Sequence, residues 1–149
     1  MSDCPTQSQA EVDELDEFLR RLFPIARSLS GKGNRQTLAI LGELLPVEIL
    51  EYPCGTQAYD WQIPDEWVIR DAWIKSPNGE RLVDYYACNL HVVGYSAPVH
   101  KKMMFSDLAP HLHYLNSNPG AIPYRTSYYR REWGFCITAA QYSRLANES

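Results

Sequence analysis

The chain has 149 residues, of which 45% are hydrophobic and 21% charged, and its formal net charge at pH 7 is −4. This length suits one main hydrophobic core, and the composition excludes a low-complexity chain. No basic run is longer than the pairs Lys101-Lys102 and Arg130-Arg131, so nucleic acid is not an expected partner. Since no segment approaches the roughly 18 consecutive apolar residues of a membrane span, we expect a soluble cytoplasmic protein with no membrane partner.

The four cysteines, Cys4, Cys54, Cys88 and Cys136, are far apart in sequence and include no C-x-x-C pair. In a cytoplasmic protein this spacing favours reduced thiols over disulfide bridges. We expect most of these thiols to be buried, as free cysteines usually are.

In chain order, residues 1–10 are predicted to be disordered, and helices and one strand are predicted between residues 11 and 52. Apolar residues recur every three or four positions over residues 11–29, which predicts a helix that Pro24 kinks or splits. After a glycine-rich turn, a second helix is predicted to stop near Pro46. The apolar pattern then alternates over residues 47–52, which predicts the first strand.

Residues 53–149 are predicted to form a β-rich portion with a C-terminal helix. Asn78-Gly79 predicts a hairpin turn between strands at 67–75 and 80–85. Further strands are predicted at 90–95 and 133–137, and Ser106 is expected to cap a short helix. The run 138–141 is a capping box that opens the last helix. The predicted class is therefore α+β: an N-terminal helix pair followed by a small, largely antiparallel, hairpin-containing domain with one or two short helices.

The four histidines raise the possibility of a metal site. His111 and His113 are two positions apart, so they could bind one ion together only if their segment were extended. Zinc normally takes three or four protein ligands at defined spacing, and neither H-E-x-x-H nor paired C-x-x-C is present. No nucleophile elbow or phosphate-binding loop occurs either. We therefore assign no metal ligand, no cofactor and no catalytic residue within this chain, and interpret these histidines as surface or interface residues.

The segment 122–136, IPYRTSYYRREWGFC, combines five aromatic residues with four charged ones. Packing in the core and hairpins accounts for most such rings, but aromatic side chains with polar tips also suit a binding surface. Arginine and tyrosine donors can hold a carboxylate. The candidate substrate-binding residues are Arg125, Tyr128, Tyr129 and His100.

Five stretches together, 22–38, 55–67, 89–102, 122–129 and 133–136, carry a family resemblance. They resemble the N-terminal part of the bacterial aminopeptidase-like proteins of the DUF4910/DUF2172 type, some of which lie in polysaccharide-biosynthesis gene clusters. The resemblance covers residues 15–145. It implies a zinc-exopeptidase scaffold in the full-length relatives, to which residues 11–52 would belong, with residues 53–149 as a β-rich insert.

The resemblance also implies that zinc binds in a later stretch of the full-length relatives, which this sequence does not match. The first hypothesis is therefore the N-terminal portion of an aminopeptidase-like protein, truncated before its metal-binding motifs and catalytically incomplete. Its expected partner is the missing peptidase portion or a second copy of the chain. The alternative hypothesis is a small-ligand or protein-binding module that uses segment 122–136. A third is that the chain is a fragment of a longer product.

Overall fold

A computed structural model of the chain describes residues 8–128 and 130–148. They form two compact units that divide between Val68 and Ile69. The division predicted at residue 52 stays an interpretation of the sequence. Of the predicted disordered segment, residues 1–7 lie outside the described residues, whereas Ser8 caps the first helix and residues 9 and 10 belong to it.

The first unit begins with α1, Gln9–Leu22. Ser8 and Glu11 form a reciprocal capping box: the Glu11 N–H donates to Ser8 Oγ at 3.3 Å, and the Ser8 N–H donates to Glu11 Oε2 at 2.9 Å. The predicted break at Pro24 is confirmed, but the predicted extension to residue 29 is wrong. The helix ends because proline lacks an N–H and its ring disfavours continued helix.

The second helix, α2, spans Lys32–Leu41 and starts after Gly31. Gly31 has a φ of 105°, a backbone conformation that only glycine adopts at little energetic cost. Gly33 is equally constrained, because a β carbon there would lie 2.0 Å from the Ala26 carbonyl oxygen. The helix ends at Leu41, with Gly42 as its C-cap, earlier than the predicted end near Pro46. Arg21 on α1 binds Glu43 at 2.7 Å, which connects the two helix ends.

Residues 47–52 are irregular, so the predicted first strand is wrong. An alternating pattern gives a strand only where a neighbour offers backbone partners. This stretch is attached to α2 by a side-chain contact instead. Arg35 of α2 donates to Glu51 at 2.7 Å and also binds Glu66. The unit closes with a small antiparallel hairpin, β1 Gln57–Ala58 and β2 Trp61–Gln62.

The second unit begins with the predicted hairpin, which is confirmed. Its strands are β3, Trp73–Lys75, and β4, Arg81–Asp84, shorter than predicted. Gly79 adopts a φ of 89° in the turn, and the Ser76 N–H donates to the Glu80 carbonyl at 2.9 Å.

The next segments depart from prediction at two points. Instead of a strand over 90–95 there is a 3-10 helix, Asn89–His91, followed by isolated bridges from Val92 and Gly94. The short helix α3, Phe105–Leu108, is preceded by Met104, so Ser106 is not its cap. A 3-10 turn, Ala109–His111, follows and contains Pro110.

The chain then becomes extended as β5, Leu112–His113, which pairs in parallel with β6, Phe135–Cys136. The last helix, α4, spans Ala139–Asn147 and opens with the predicted capping box, which is confirmed. Its Leu145 joins a core formed by five further buried residues: Ile74, Val83, Leu112, Phe135 and Ile137. The predicted α+β class is confirmed.

Candidate functional site

Segment 122–136 takes part in an irregular backbone layer of the second unit. The Gly94 N–H donates to the Arg125 carbonyl at 2.8 Å, and the Ser127 N–H donates to the Gly94 carbonyl at 2.9 Å. On the other side, the Val93 N–H donates to the Gly134 carbonyl at 3.1 Å. The residues around Gly94 therefore lie between the two ends of the segment and fix them in place.

Arg125 is exposed, and its backbone N–H lies beside the Cys136 thiol, where it opposes the effect of burial on the pKa of that thiol. Burial prevails and raises the pKa of Cys136 to about 11, so this thiol is protonated at neutral pH. Among residues 8–128 and 130–148, no carboxylate pairs with the Arg125 guanidinium. The role of Arg125 as a substrate contact stays a prediction.

Tyr128 is half-buried and packs edge-on against Tyr95, with the ring centroids 4.8 Å apart. Tyr95 has a φ of 65°, an uncommon value for a residue with a side chain. Such strain persists only where the surroundings impose it. Tyr129, the third candidate of this segment, lies outside the described residues.

His100 is exposed and lies in a different group of contacts from Tyr128. Its ring meets Trp73 of β3 edge-on, with the centroids 6.1 Å apart. The same indole also has Lys75 Nζ at 4.7 Å and Arg81 Cζ at 5.7 Å from its centroid. His100 is thus part of a cation-rich surface of the hairpin, and its role as a ligand contact stays a prediction.

His111 and His113 make specific contacts that the sequence did not predict. His111 stacks on Trp133 with ring centroids 3.7 Å apart, and its Nδ1–H donates to the Trp133 carbonyl at 3.0 Å. His113 is half-buried, with Nε2 packed over Gly134, where an added β carbon would lie 3.2 Å away. The sequence signal was the alternation His-Leu-His around a buried leucine, which suits an extended segment.

Burial lowers the pKa of His113 below its ordinary value of 6.5, and the charges of Arg125 and His111 lower it further. Glu132 raises the pKa of His113, and its effect is the smallest of the four. Burial, with a smaller contribution from these charges, therefore keeps His113 neutral at pH 7. Sequence reasoning missed this effect because the burial of His113 results from the tertiary fold.

His91 is a structural residue. It is 5% exposed, and its Nδ1–H donates to the Cys136 carbonyl at 2.7 Å. Its Nε2 lies 3.4 Å from Nε2 of Gln141, which can donate to it. Both ring nitrogens of His91 are thus engaged in joining the 3-10 helix, β6 and α4.

The described residues do not fit the zinc ion that the family resemblance implies for full-length relatives. Within residues 8–128 and 130–148, no three His, Cys, Asp or Glu side chains are grouped as metal ligands would be. His111 already donates through Nδ1 and stacks on Trp133. The positive charge of Arg125, which lowers the pKa of His113, would also disfavour a metal cation at that ring.

The thiols are less buried than expected. Cys54 is exposed and Cys88 half-buried, and only Cys136 of the three described cysteines is buried. All three are free. Cys4 lies outside the described residues.

Helix α1 carries an exposed apolar surface in the first unit. Leu15 and Leu19 are about half exposed, and Phe23 is 82% exposed. An open groove of about 370 Å³ runs along the helix, lined by Leu15, Phe18 and Leu44 together with three glutamates and Arg21. In the part of the chain that the structure describes, no helix combines the length and apolarity needed to span a bilayer.

The comparisons with known proteins agree with the resemblance seen in the sequence. Residues 66–149 match the family model described as a domain of unknown function, DUF2172. A curated protein of Clostridium acetobutylicum, named "Putative polysaccharide biosynthesis protein with aminopeptidase-like domain", is 42% identical over 135 residues. That alignment covers 91% of this chain and 31% of the relative.

A solved structure gives the same result for the fold. A crystal structure titled as a putative peptidase from Clostridium acetobutylicum matches with a TM-score of 0.85 and 42% identity, over 90% of this chain and 32% of that one. The chain thus spans about a third of the length of the proteins it matches. With more than half of its residues matched by one family model, the chain belongs to the DUF2172 family.

Proposed function

We propose that this chain is the N-terminal portion of an aminopeptidase-like protein related to zinc exopeptidases, and that it is catalytically incomplete by itself. The observation that carries the proposal is the alignment of nearly the whole chain with a third of a relative whose name includes an aminopeptidase-like domain. The match extends over both compact units, since it covers 91% of the chain.

The chemistry explains why the remaining two thirds of such a relative matter. Aminopeptidase chemistry uses a metal-activated water and a base placed against the scissile carbonyl. In this proposal, that machinery is supplied by the rest of a full-length protein or by a separate chain. The zinc ion belongs to that portion, and the present chain holds no cofactor.

The exposed apolar stripe of α1 supports a partner of this kind. Unpaired apolar surface at Leu15, Leu19 and Phe23 would be buried if α1 packed against a peptidase scaffold or a second copy of the chain. We also propose a cytoplasmic location, supported by the free thiols of Cys54, Cys88 and Cys136.

An activity assay tests the proposal directly. The purified chain, with and without added zinc, is incubated with aminoacyl reporter substrates, and the full-length Clostridium relative serves as the positive control. We expect turnover by the relative and none by the chain. Metal-dependent turnover by the chain alone would refute catalytic incompleteness.

A second candidate function is a binding module that uses segment 122–136. The observation that favours it is the exposed Arg125, without a carboxylate partner among the described residues, on the same segment as the Tyr128 ring. Candidate peptides and sugars would then quench Trp133 fluorescence, and the quenching would be lost in Trp133→Phe and in Tyr128→Ala. An unchanged spectrum with all candidates would count against it.

A further inference from the structure

The imidazole of His91 is enclosed between three elements of the second unit. It is 5% exposed and ends the 3-10 helix Asn89–His91. Its Nδ1 lies 2.7 Å from the Cys136 carbonyl oxygen of β6. Because a carbonyl oxygen can only accept a hydrogen bond, Nδ1 carries the proton in this contact. In the neutral ring, Nε2 is therefore an acceptor without a proton.

The side-chain amide of Gln141, the third residue of α4, faces this acceptor. Its nitrogen lies 3.4 Å from Nε2 of His91 and 3.5 Å from the Leu82 carbonyl oxygen. The oxygen of the same amide accepts from the Thr138 N–H at 2.9 Å and from the Thr138 hydroxyl at 3.2 Å. One amide group therefore completes the α4 capping box and supplies the donor that the neutral His91 ring accepts.

Protonation of His91 is incompatible with this orientation of the amide. A proton on Nε2 would make both ring nitrogens donors, while Nδ1 remains bound to the Cys136 carbonyl. Two donors, Nε2–H and the Gln141 NH₂ group, would then face each other across 3.4 Å. If the amide turned over, its oxygen would accept from His91. The same movement would place the NH₂ group against the Thr138 N–H and break that hydrogen bond.

The charged and titratable groups around His91 come from two strands. Asp84 of β4 interacts electrostatically with His91, so its negative charge favours a proton on the ring. Arg81 binds Asp84 at 2.8 Å, which offsets part of this attraction. On β6, burial raises the pKa of the Cys136 thiol to about 11, so that thiol is uncharged at neutral pH. From α4, the ring meets the neutral amide of Gln141.

We propose that His91 and Gln141 form a pH-sensitive switch at the start of α4. While His91 is neutral, the amide caps the Thr138 N–H and donates to the ring. Once Nε2 takes up a proton from solvent, the amide turns over, accepts from Nε2–H and releases the Thr138 N–H. The two orientations of one amide are thus the two states that the proton selects between. Since Leu145 holds the far end of α4 in the core, the helix loosens at its first turn only.

Amide hydrogen exchange of the full chain, followed by nuclear magnetic resonance between about pH 7.5 and about pH 5, tests the switch. The readout is the protection factor of the Thr138 N–H, which corrects for the intrinsic effect of pH on exchange. It is divided by that of the Ile137 N–H, which donates to the His113 carbonyl in the core. We expect this ratio to fall about fivefold on acidification, the effect of losing one N-cap.

The variant Gln141→Glu separates the switch from a general loss of stability. Its carboxylate would cap Thr138 as the amide does and would also accept from a protonated His91, so the ratio should not fall. His91→Gln cannot titrate and should also keep the ratio constant. The matched control His111→Gln should show the same fall as the unmodified chain. His111 likewise donates through Nδ1 to a backbone carbonyl, but that carbonyl belongs to Trp133.

A ratio that stays constant in the unmodified chain would overturn the switch. So would an equal fall in Gln141→Glu, or an equal fall in His91→Gln. If His91→Gln does not fold, the comparison of Gln141→Glu with His111→Gln decides the question. The switch goes beyond both functions proposed above, and none of these readouts depends on peptidase activity or on segment 122–136.

Discussion

The two compact units of the chain are stabilised in different ways. No residue of α1 or α2 is buried, and Ile25 is the buried hydrophobic residue of the first unit within the described range. The second unit instead buries six residues in one cluster, including Ile137 and Val83, which are almost fully enclosed. Burial of this kind supplies most of the free energy of folding, so the second unit should be the more stable.

The first unit depends on local interactions. Its helices have a capping box at Ser8, an ion pair between Arg21 and Glu43, and the Arg35 guanidinium that binds Glu51 and Glu66. Each exposed ion pair of this type contributes little to the free energy of folding. The first unit therefore has few contacts that stabilise it strongly, and much of the apolar surface of α1 is exposed.

The largest expected effect is in the core of the second unit. Ile137→Ala removes a side chain with 0% exposure and should cost about 2–5 kcal/mol of unfolding free energy, since the cavity cannot collapse fully. Urea unfolding followed by circular dichroism measures it. The matched substitution in the first unit, Leu19→Ala, should change the free energy of unfolding by no more than about 0.5 kcal/mol, because Leu19 is 54% exposed. A cost at Leu19 similar to that at Ile137 would mean that the stripe is buried in solution, by self-association for example.

The next prediction tests the close approach of Gly33 to the Ala26 backbone in the first unit. Gly33→Ala would place a β carbon 2.0 Å from the Ala26 carbonyl oxygen, so the backbone must move. We expect a loss of about 1–3 kcal/mol, which outweighs the small gain in helix propensity. Thermal unfolding measures the loss, and Gly120→Ala, where nothing lies within 4 Å, is the control. An unchanged midpoint in Gly33→Ala would show that α2 does not approach Ala26 this closely.

A third prediction compares the two capping boxes. Thr138→Ala should cost about 1 kcal/mol in global unfolding, because α4 is anchored to the core by Leu145. Ser8→Ala removes an equivalent cap from α1, whose residues are not buried. Its cost should appear as fraying at the start of α1, seen by amide hydrogen exchange, with little change in the global midpoint. A global loss equal to that of Thr138→Ala would place α1 in the same cooperative unit as α4.

Patterns in the sequence correctly predicted the elements that depend only on residues close together in the chain. The Asn78-Gly79 turn and the Thr138 capping box are encoded within four residues, and both are confirmed. The strand predicted over 47–52 failed because alternation alone provides no backbone partner. Pro110 similarly ended the expected helix, so Leu112 became part of a strand.

The candidate site was predictable in part. Arg125 and Tyr128 were identified from their composition, and both lie on the predicted segment. His113 was set aside because spacing on a helix would separate it from His111, and nothing in the sequence shows that β5 pairs with β6 in parallel. That pairing joins residues more than 20 positions apart and places His113 opposite Cys136.

The smallest expected effect is a pH dependence confined to the second unit. The pKa of His113 is lowered in the folded chain, so the unfolded chain binds the proton more readily. Stability should therefore fall as the pH drops below 6.5, the ordinary pKa of histidine, and the loss should be complete below the folded pKa. Thermal midpoints across this range measure the effect, and His113→Asn should remove part of the slope. Since His113 is the described histidine whose pKa is shown to be lowered, an identical slope in the variant would mean that another group controls acid stability and that burial does not keep His113 neutral.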